Sequence, residues 1–188
     1  MNTPTLWLIR HGETDWTISG QHTGRTDIPL TENGREQARA LKSRLADQTF
    51  DRVLCSPLQR ARETCELAGF GTQAQMEPDL MEWDYGIYEG RTSADILKDE
   101  PDWSLWTSDV QNGETAEQVR TRVGRLLDRL LTRQGTIALF AHGHILRSLI
   151  SMWMSNDVRL GENILLDTAS VSVLGFQRNA RVLRKLNT

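Results

Sequence analysis

The run Thr5-Leu6-Trp7-Leu8-Ile9 shows no alternation of apolar and polar side chains and stops abruptly at Arg10-His11-Gly12. A strand with one wet face alternates with period two, whereas an unbroken run belongs to a strand covered on both faces. A chain with such a strand must supply helices for both sides of its sheet. Thr31 is a good N-cap with Glu32 in the first turn, and Ala38, Leu41 and Leu45 recur at helical spacing, which predicts a helix over about 32–46. Arg52-Val53-Leu54-Cys55 reads as a short strand, after which Ser56-Pro57 opens a helix through Leu58, Ala61, Cys65 and Leu67 that ends at Gly69. Thr115 and Gln118 form a capping box ahead of Ala116, Val119, Val123, Leu126 and Leu130, giving a helix to about 132. Thr136 to Ala141 is a second buried strand, and the apolar run Ile145 to Met154 behind it suits a buried helix. Val171 to Phe176 and Arg181 to Leu186 offer one or two further strands. The expected class is therefore α/β: a three-layer αβα sandwich, its sheet mostly parallel, with helices on both faces. Such sheets place ligands beyond the carboxyl ends of their strands.

At 188 residues the chain is the size of one domain, 1–188. Pro78, Gly86, Gly90, Pro101 and Gly113 break up the stretch from about 70 to 114, which reads as an insertion over the site. No repeat or low-complexity segment competes with that division. The balance of 22 Lys+Arg against 25 Asp+Glu, a net charge of -3, gives no electrostatic reason to expect nucleic acid or an anionic membrane as a partner. The apolar run at Leu6–Ile9 is too short for a signal or a membrane span, so the expected location is cytoplasmic. Cys55 and Cys65 are expected to be free thiols in that setting. Oligomeric state is not legible at this level.

Arg10 and His11 after the first strand, Arg60 and Arg62 on the second helix, and His142 after the long third strand form an inventory for binding an anion. Guanidinium groups grip phosphate bidentately, and imidazoles can donate to the remaining oxygens. What this set lacks is an acid for a leaving oxygen, and both Glu82 and Asp84 in Met81-Glu82-Trp83-Asp84-Tyr85-Gly86 are open to that role. Gly12 suits a close backbone approach to a phosphate, though a simple turn explains it nearly as well. His142-x-His144 has the spacing of two metal ligands, but no Asp, Glu or Cys partner stands at convincing spacing, so no metal is expected. Tryptophans are usually core residues, which sets Trp16, Trp103 and Trp106 behind Tyr85 as substrate-stacking candidates.

Arg10-His11-Gly12-Glu13-Thr14 resembles the signature of the histidine phosphatase superfamily, which includes the cofactor-dependent phosphoglycerate mutases. Leu30 to Ala38, Ser56 to Thr64, Glu82 to Gly90 and Ala141 to His144 are similar, in the same order, to that family's first helix, second helix, proton-donor loop and second histidine motif. The resemblance covers nearly the whole chain and implies a phosphoglycerate mutase-like fold. It further implies that His11 is the nucleophile, that Arg10, Arg60 and His142 hold the phosphate, that Glu82 is the general acid, and that no cofactor is needed. Arg60 is favoured over Arg62, and Glu82 over Asp84, on the same ground. An imidazole with an ordinary pKa of about 6.5 is largely neutral at pH 7 and can attack phosphorus, giving a phosphohistidine that water hydrolyses.

Ser19 to Gly24, Glu82 to Gly90, the pair Trp103 and Trp106, and Asn112-Gly113-Glu114-Thr115 are similar to the sedoheptulose-1,7-bisphosphatase-like branch, which points to sugar phosphates. Mutases usually carry Asn where this chain has Thr17, Arg-His where it has Trp83-Asp84, and paired arginines in a longer insert, so hydrolysis is favoured over transfer. Thr17, Gln21, His22, Thr23, Tyr85 and Gly143 are the positions expected to touch a small-molecule phosphate monoester. Glu13 and Glu89 are read as hydrogen-bond partners of arginines, and His144 as a helix-start residue with a supporting role. The rival readings are a phosphoglycerate mutase, a phosphatase of phosphohistidine or phosphoprotein substrates, and a non-catalytic phosphate-binding module.

Overall fold

The computed structural model describes residues 3–188. In chain order it runs β1 (Thr5–Arg10), α1 (Asp15–Ser19), α2 (Glu32–Arg44), β2 (Arg52–Cys55), α3 (Gln59–Leu67), β3 (Ala74–Met76), α4 (Ser93–Asp99), α5 (Ala116–Leu131), β4 (Thr136–Ala141), α6 (Gly143–Ser155), β5 (Val171–Gln177) and β6 (Ala180–Lys185), with short 3-10 turns between them. The strands form one six-stranded sheet in the order β3-β2-β4-β1-β5-β6. β1 to β4 run parallel; β5 lies antiparallel to β1, and β6 antiparallel to β5. The result is the three-layer sandwich with a mostly parallel sheet.

The unbroken apolar strands are explained by two cores, one on each face. Leu6 and Leu8 of β1 and Ile137, Leu139 and Ala141 of β4 pack with Val119, Val123 and Leu126 of α5 and Leu146 and Ile150 of α6. Ile9 of β1 and Ala138 and Phe140 of β4 point the other way, into a core with Leu41 of α2 and Ala61 and Cys65 of α3. Successive side chains of one strand thus enter opposite cores, and each buried Leu, Ile or Phe contributes about 1.5–3 kcal/mol. Cys55 and Cys65 are both free and buried in the second core. Among the described residues no helix is long and apolar enough to cross a membrane.

The capping residues do what the sequence predicts at α2 and α5: Thr31 accepts from the Gly34 amide, and Thr115 and Gln118 form a reciprocal capping box. The start of α3 differs. Ser56-Pro57 precedes it, and the helix begins at Gln59 behind Leu58, which has no capping side chain. Its first amide is met instead from another loop, by Asp27 Oδ1 at 2.7 Å. Ser56 Oγ accepts from Leu58 N at 3.4 Å, which leaves its hydroxyl hydrogen for a different partner. The segment from about 70 to 114 is not a loose cover: Leu80, Trp83, Tyr85, Tyr88, Ile96, Leu105 and Trp106 are all built into the core against α5 and α6.

Register fixes the functional end of the sheet. Arg10 pairs with Ala141 across β1 and β4, and the ladder continues one residue further, His11 N donating to Ala141 O at 3.0 Å. His11 and His142 therefore leave neighbouring parallel strands at the same height. Ser56 reaches that height too, its amide donating to Phe140 O at 2.9 Å at the end of β2.

Candidate active site

His11 is 4% exposed and its ring centroid lies 5.1 Å from that of His142. His11 Nδ1 stands 2.7 Å from Gly12 O, and a carbonyl can only accept. The ring hydrogen is therefore on Nδ1, and Nε2 carries the lone pair. Burial, reinforced by the charges of Arg60 and Arg10, holds this imidazole well below its ordinary pKa, with the Gly12 bond opposing the shift. The neutral, nucleophilic form is thus the resting form.

The turn that carries His11 is clamped from two sides. Gly12 N donates to Thr64 Oγ1 of α3 at 3.0 Å. A Cβ on Gly12 would lie 2.3 Å from Gly34 O, and one on Gly34 would lie 2.1 Å from Glu13 O. The two glycines let the turn and α2 touch backbone to backbone. The close approach that Gly12 serves in this structure is to the backbone of α2.

His142 is fully buried at the N-terminus of α6. Its Nε2 lies 2.7 Å from Ser56 Oγ, whose hydroxyl has no other acceptor among the described residues. Ser56 donates to Nε2, so the ring proton sits on Nδ1. Burial first, then the charge of Arg60, keeps this ring neutral as well. Arg60 is also fully buried, and its Nη atoms hold the carbonyls of Thr23, Gly24 and Thr26. Arg10 is anchored through Nη1 to Leu166 O. After these bonds, Arg10 Nε, Arg60 Nε and His142 Nδ1 are buried donors with no partner among the described residues. Buried donors left unpaired cost about 1–3 kcal/mol each, and a cluster of them beside one lone pair is suited to receive an oxyanion.

Glu82 is 4% exposed and bonded to the start of α6. Its Oε2 accepts from His144 N at 2.9 Å, and its Oε1 from Ile145 N at 2.8 Å and Trp83 N at 2.9 Å. Oε2 thus keeps a lone pair able to carry a proton. Asp84 points elsewhere, accepting from Gly86 N and pairing with Arg25. Glu82, Arg10 and His11 line a pocket of about 310 Å³ together with Trp16, Thr17, Tyr85 and Arg147.

Residues 6–188 match the family described as "Histidine phosphatase superfamily (branch 1)". The chain belongs to the histidine phosphatase superfamily. It is 38% identical over 187 residues to the acid phosphatase of Mycobacterium tuberculosis, covering 96% of this chain and 91% of that protein. It is 33% identical to the sedoheptulose 1,7-bisphosphatase of Saccharomyces cerevisiae, covering 84% of this chain and 70% of that one. A solved structure of an open reading frame from Mycobacterium tuberculosis superposes with a TM-score of 0.91 at 36% identity, covering 97% of this chain and 96% of that chain. As a histidine phosphatase the protein is a hydrolase of phosphate esters.

Within this histidine phosphatase, every residue expected to touch substrate lines the pocket: Thr17, Gln21, His22, Thr23, Tyr85 and Gly143. Their polar atoms are not equally free. The Thr17 hydroxyl donates to Thr14 O and accepts from Thr14 N, closing the cap of α1. The Gln21 amide bonds Gly90 O and Ser19. His22 stacks on Tyr85 at 4.7 Å, and burial lowers its pKa to about 4. The glutamates read as arginine partners bond elsewhere: Glu13 to Thr31 and Asn33, Glu89 to the amides of Gly24 and Thr26. Glu89 grips the amides of the loop whose carbonyls Arg60 holds. Trp103 and Trp106 do not line this pocket, and Trp83 is fully buried. Among the described residues no cluster of three or more His, Cys, Asp or Glu side chains is arranged to hold a metal ion. Sequence reasoning missed Ser56, Thr64, Gly34, Ser93, Arg147, Leu165 and Leu166. Ser56 ends a parallel strand, the position where ligands gather, and that signal could have found it.

Proposed function

We propose that this protein hydrolyses small phosphate monoesters, sugar phosphates in particular, through a phosphohistidine on His11. The observation that carries the reading is the trio of unpartnered buried donors, Arg10 Nε, Arg60 Nε and His142 Nδ1, beside a histidine whose Nε2 lone pair is fixed by the bond of Nδ1–H to Gly12 O. In the first half-reaction Nε2 attacks phosphorus, the ester P–O bond breaks in line, and Glu82 gives its proton to the departing alkoxide. In the second, the Glu82 carboxylate takes a proton from water, whose oxygen attacks the phosphohistidine and frees inorganic phosphate. Acid–base help of this kind contributes about 10²–10⁴-fold. The guanidinium groups act through position and charge on the in-line transition state.

The substrate class is supported by the pocket and by the relatives. A volume of about 310 Å³ suits a phosphorylated sugar better than the surface of a folded protein. The relatives include an acid phosphatase and a sedoheptulose 1,7-bisphosphatase. Residues 70–114 contribute Glu82, Tyr85 and Ser93 to the pocket, which supports reading them as a site-covering segment of a single domain. The test is a panel of sugar mono- and bisphosphates, 3-phosphoglycerate and phosphoproteins compared by kcat/KM. Free phosphate released fastest from sugar phosphates is expected. Conversion of 3-phosphoglycerate to its 2-isomer would make the protein a mutase, and faster turnover of intact phosphoproteins would make it a regulator.

A further inference from the structure

His144 is the second residue of α6, and its ring lies between two partners that together dictate its proton. Nε2 is 3.0 Å from Nη1 of Arg147, and Nδ1 is 2.7 Å from the Tyr85 hydroxyl oxygen. A guanidinium has only N–H donors and nothing to accept with, so Nε2 must be the unprotonated nitrogen. The ring hydrogen is then on Nδ1 and is donated to Tyr85 Oη. Burial first, and the Arg147 charge second, hold the ring neutral, so there is one hydrogen to place. Arg147 has little freedom to alter this: it donates to Gly161 O at 2.9 Å and Glu162 O at 3.1 Å and lies 5.0 Å over the Trp106 ring.

The consequence falls on Tyr85. Its oxygen is occupied as an acceptor, and its own O–H hydrogen has no acceptor among the described residues. Burial and the nearby Glu82 charge push the phenol's pKa well up, so that hydrogen stays on. Tyr85 is 1% exposed and lines the pocket together with Arg10 and His11. Were His144 protonated on Nε2 instead, two donors would face each other across 3.0 Å. Tyr85 would then have to donate to Nδ1 and would offer the pocket only lone pairs, which phosphate oxygens repel.

We propose that Arg147 and His144 are positioning residues that fix the Tyr85 hydroxyl as a hydrogen-bond donor to the phosphoryl group bound over His11. The chain of donors runs from Arg147 to His144 to Tyr85 to the phosphoryl oxygen, and the identity of Arg147 sets its direction. This inference rests on the phosphohydrolase reading for its acceptor, but not for its tautomer.

The tautomer is read directly from ring-nitrogen NMR of ¹⁵N-labelled wild-type protein. A protonated Nδ1 and a bare Nε2 on His144 are expected; an Nε2–H signal overturns the proposal without touching the phosphatase reading. Conversely, a wild type that turns over no phosphate ester overturns the phosphatase reading and leaves the tautomer measurable. Titration with inorganic phosphate then tests the coupling. Tyr85→Phe and Arg147→Met should each weaken phosphate binding by about 10- to 100-fold, the worth of a hydrogen bond to a charged oxygen. The double variant should lose no more than either alone, and Arg147→Lys, which keeps a donor to Nε2, should recover most of the affinity. Additive losses would mean that Arg147 acts on the fold and not through Tyr85.

Discussion

The ends of β1 and β4 are near copies. Each carries a histidine followed by glycine at the same height, each ring is buried and neutral, and the two lie 5.1 Å apart. Their partners make them opposites. Gly12 O takes the Nδ1 hydrogen of His11 and exposes a lone pair, while Ser56 donates to Nε2 of His142 and leaves an Nδ1–H donor. Residue type and position give the same imidazole twice; one carbonyl and one hydroxyl leave a lone pair on one ring and an N–H on the other, the division that the proposed nucleophile and oxyanion donor require.

That division is broken most severely at His11. His11→Ala should lower kcat/KM on a sugar phosphate by about 10⁴-fold or more, as loss of a covalent nucleophile does. His142→Ala should cost about 10²–10³-fold, the usual effect of losing one oxyanion donor. Equal losses at the two positions would contradict the division. Ser56→Ala, which frees the His142 tautomer without touching the ring, should lower kcat about 10-fold; ring-nitrogen NMR should show His142 moving from Nδ1–H to a mixture. The glycine contact sharpens the contrast from the side of stability. An alanine in place of a helix-interior glycine usually gains about 0.5–1 kcal/mol. Here Gly34→Ala sets a Cβ 2.1 Å from Glu13 O. It should therefore lose about 1–3 kcal/mol in urea unfolding, and it should disturb His11 more than His142.

The smallest effect is on pH dependence. The four histidines are held below the unfolded value of about 6.5, His22 at about 4 and the others well below it. Between those values the unfolded chain binds more protons than the folded one. Stability should rise with pH across that window and fall as pH drops through it. A urea midpoint lower at pH 5 than at pH 7 is expected, and equal midpoints would contradict the buried neutral rings.

Much of this architecture is legible in the sequence, because the signals that carry it are local. Thr31, Thr115 and Gln118 act on amides three residues away, so spacing alone reveals them. The two-faced burial of β1 and β4 is written into their unbroken apolar runs. What stays hidden depends on contacts between distant segments. Gly12 meets Gly34 only after β1 and α2 are packed, and no local pattern marks the pair. Asp27 caps α3 from a separate loop, which misplaces the helix start when the sequence is read locally. Glu13 and Glu89 bond amides, hydroxyls and an amide side chain where charge alone suggests arginines. Arg147 lies on an apolar helix three residues after His144, and the role proposed for it rests on the direction of one hydrogen bond.

The central claim is that His11 Nε2 takes the phosphoryl group, and brief mixing of enzyme with ³²P-labelled sugar phosphate followed by acid-free quenching tests it most directly. Label that survives alkali, leaves in acid, maps to the peptide containing His11 and persists at a reduced rate in His142→Ala is the predicted result. Turnover without any such label, or label that survives in His11→Ala, would contradict it.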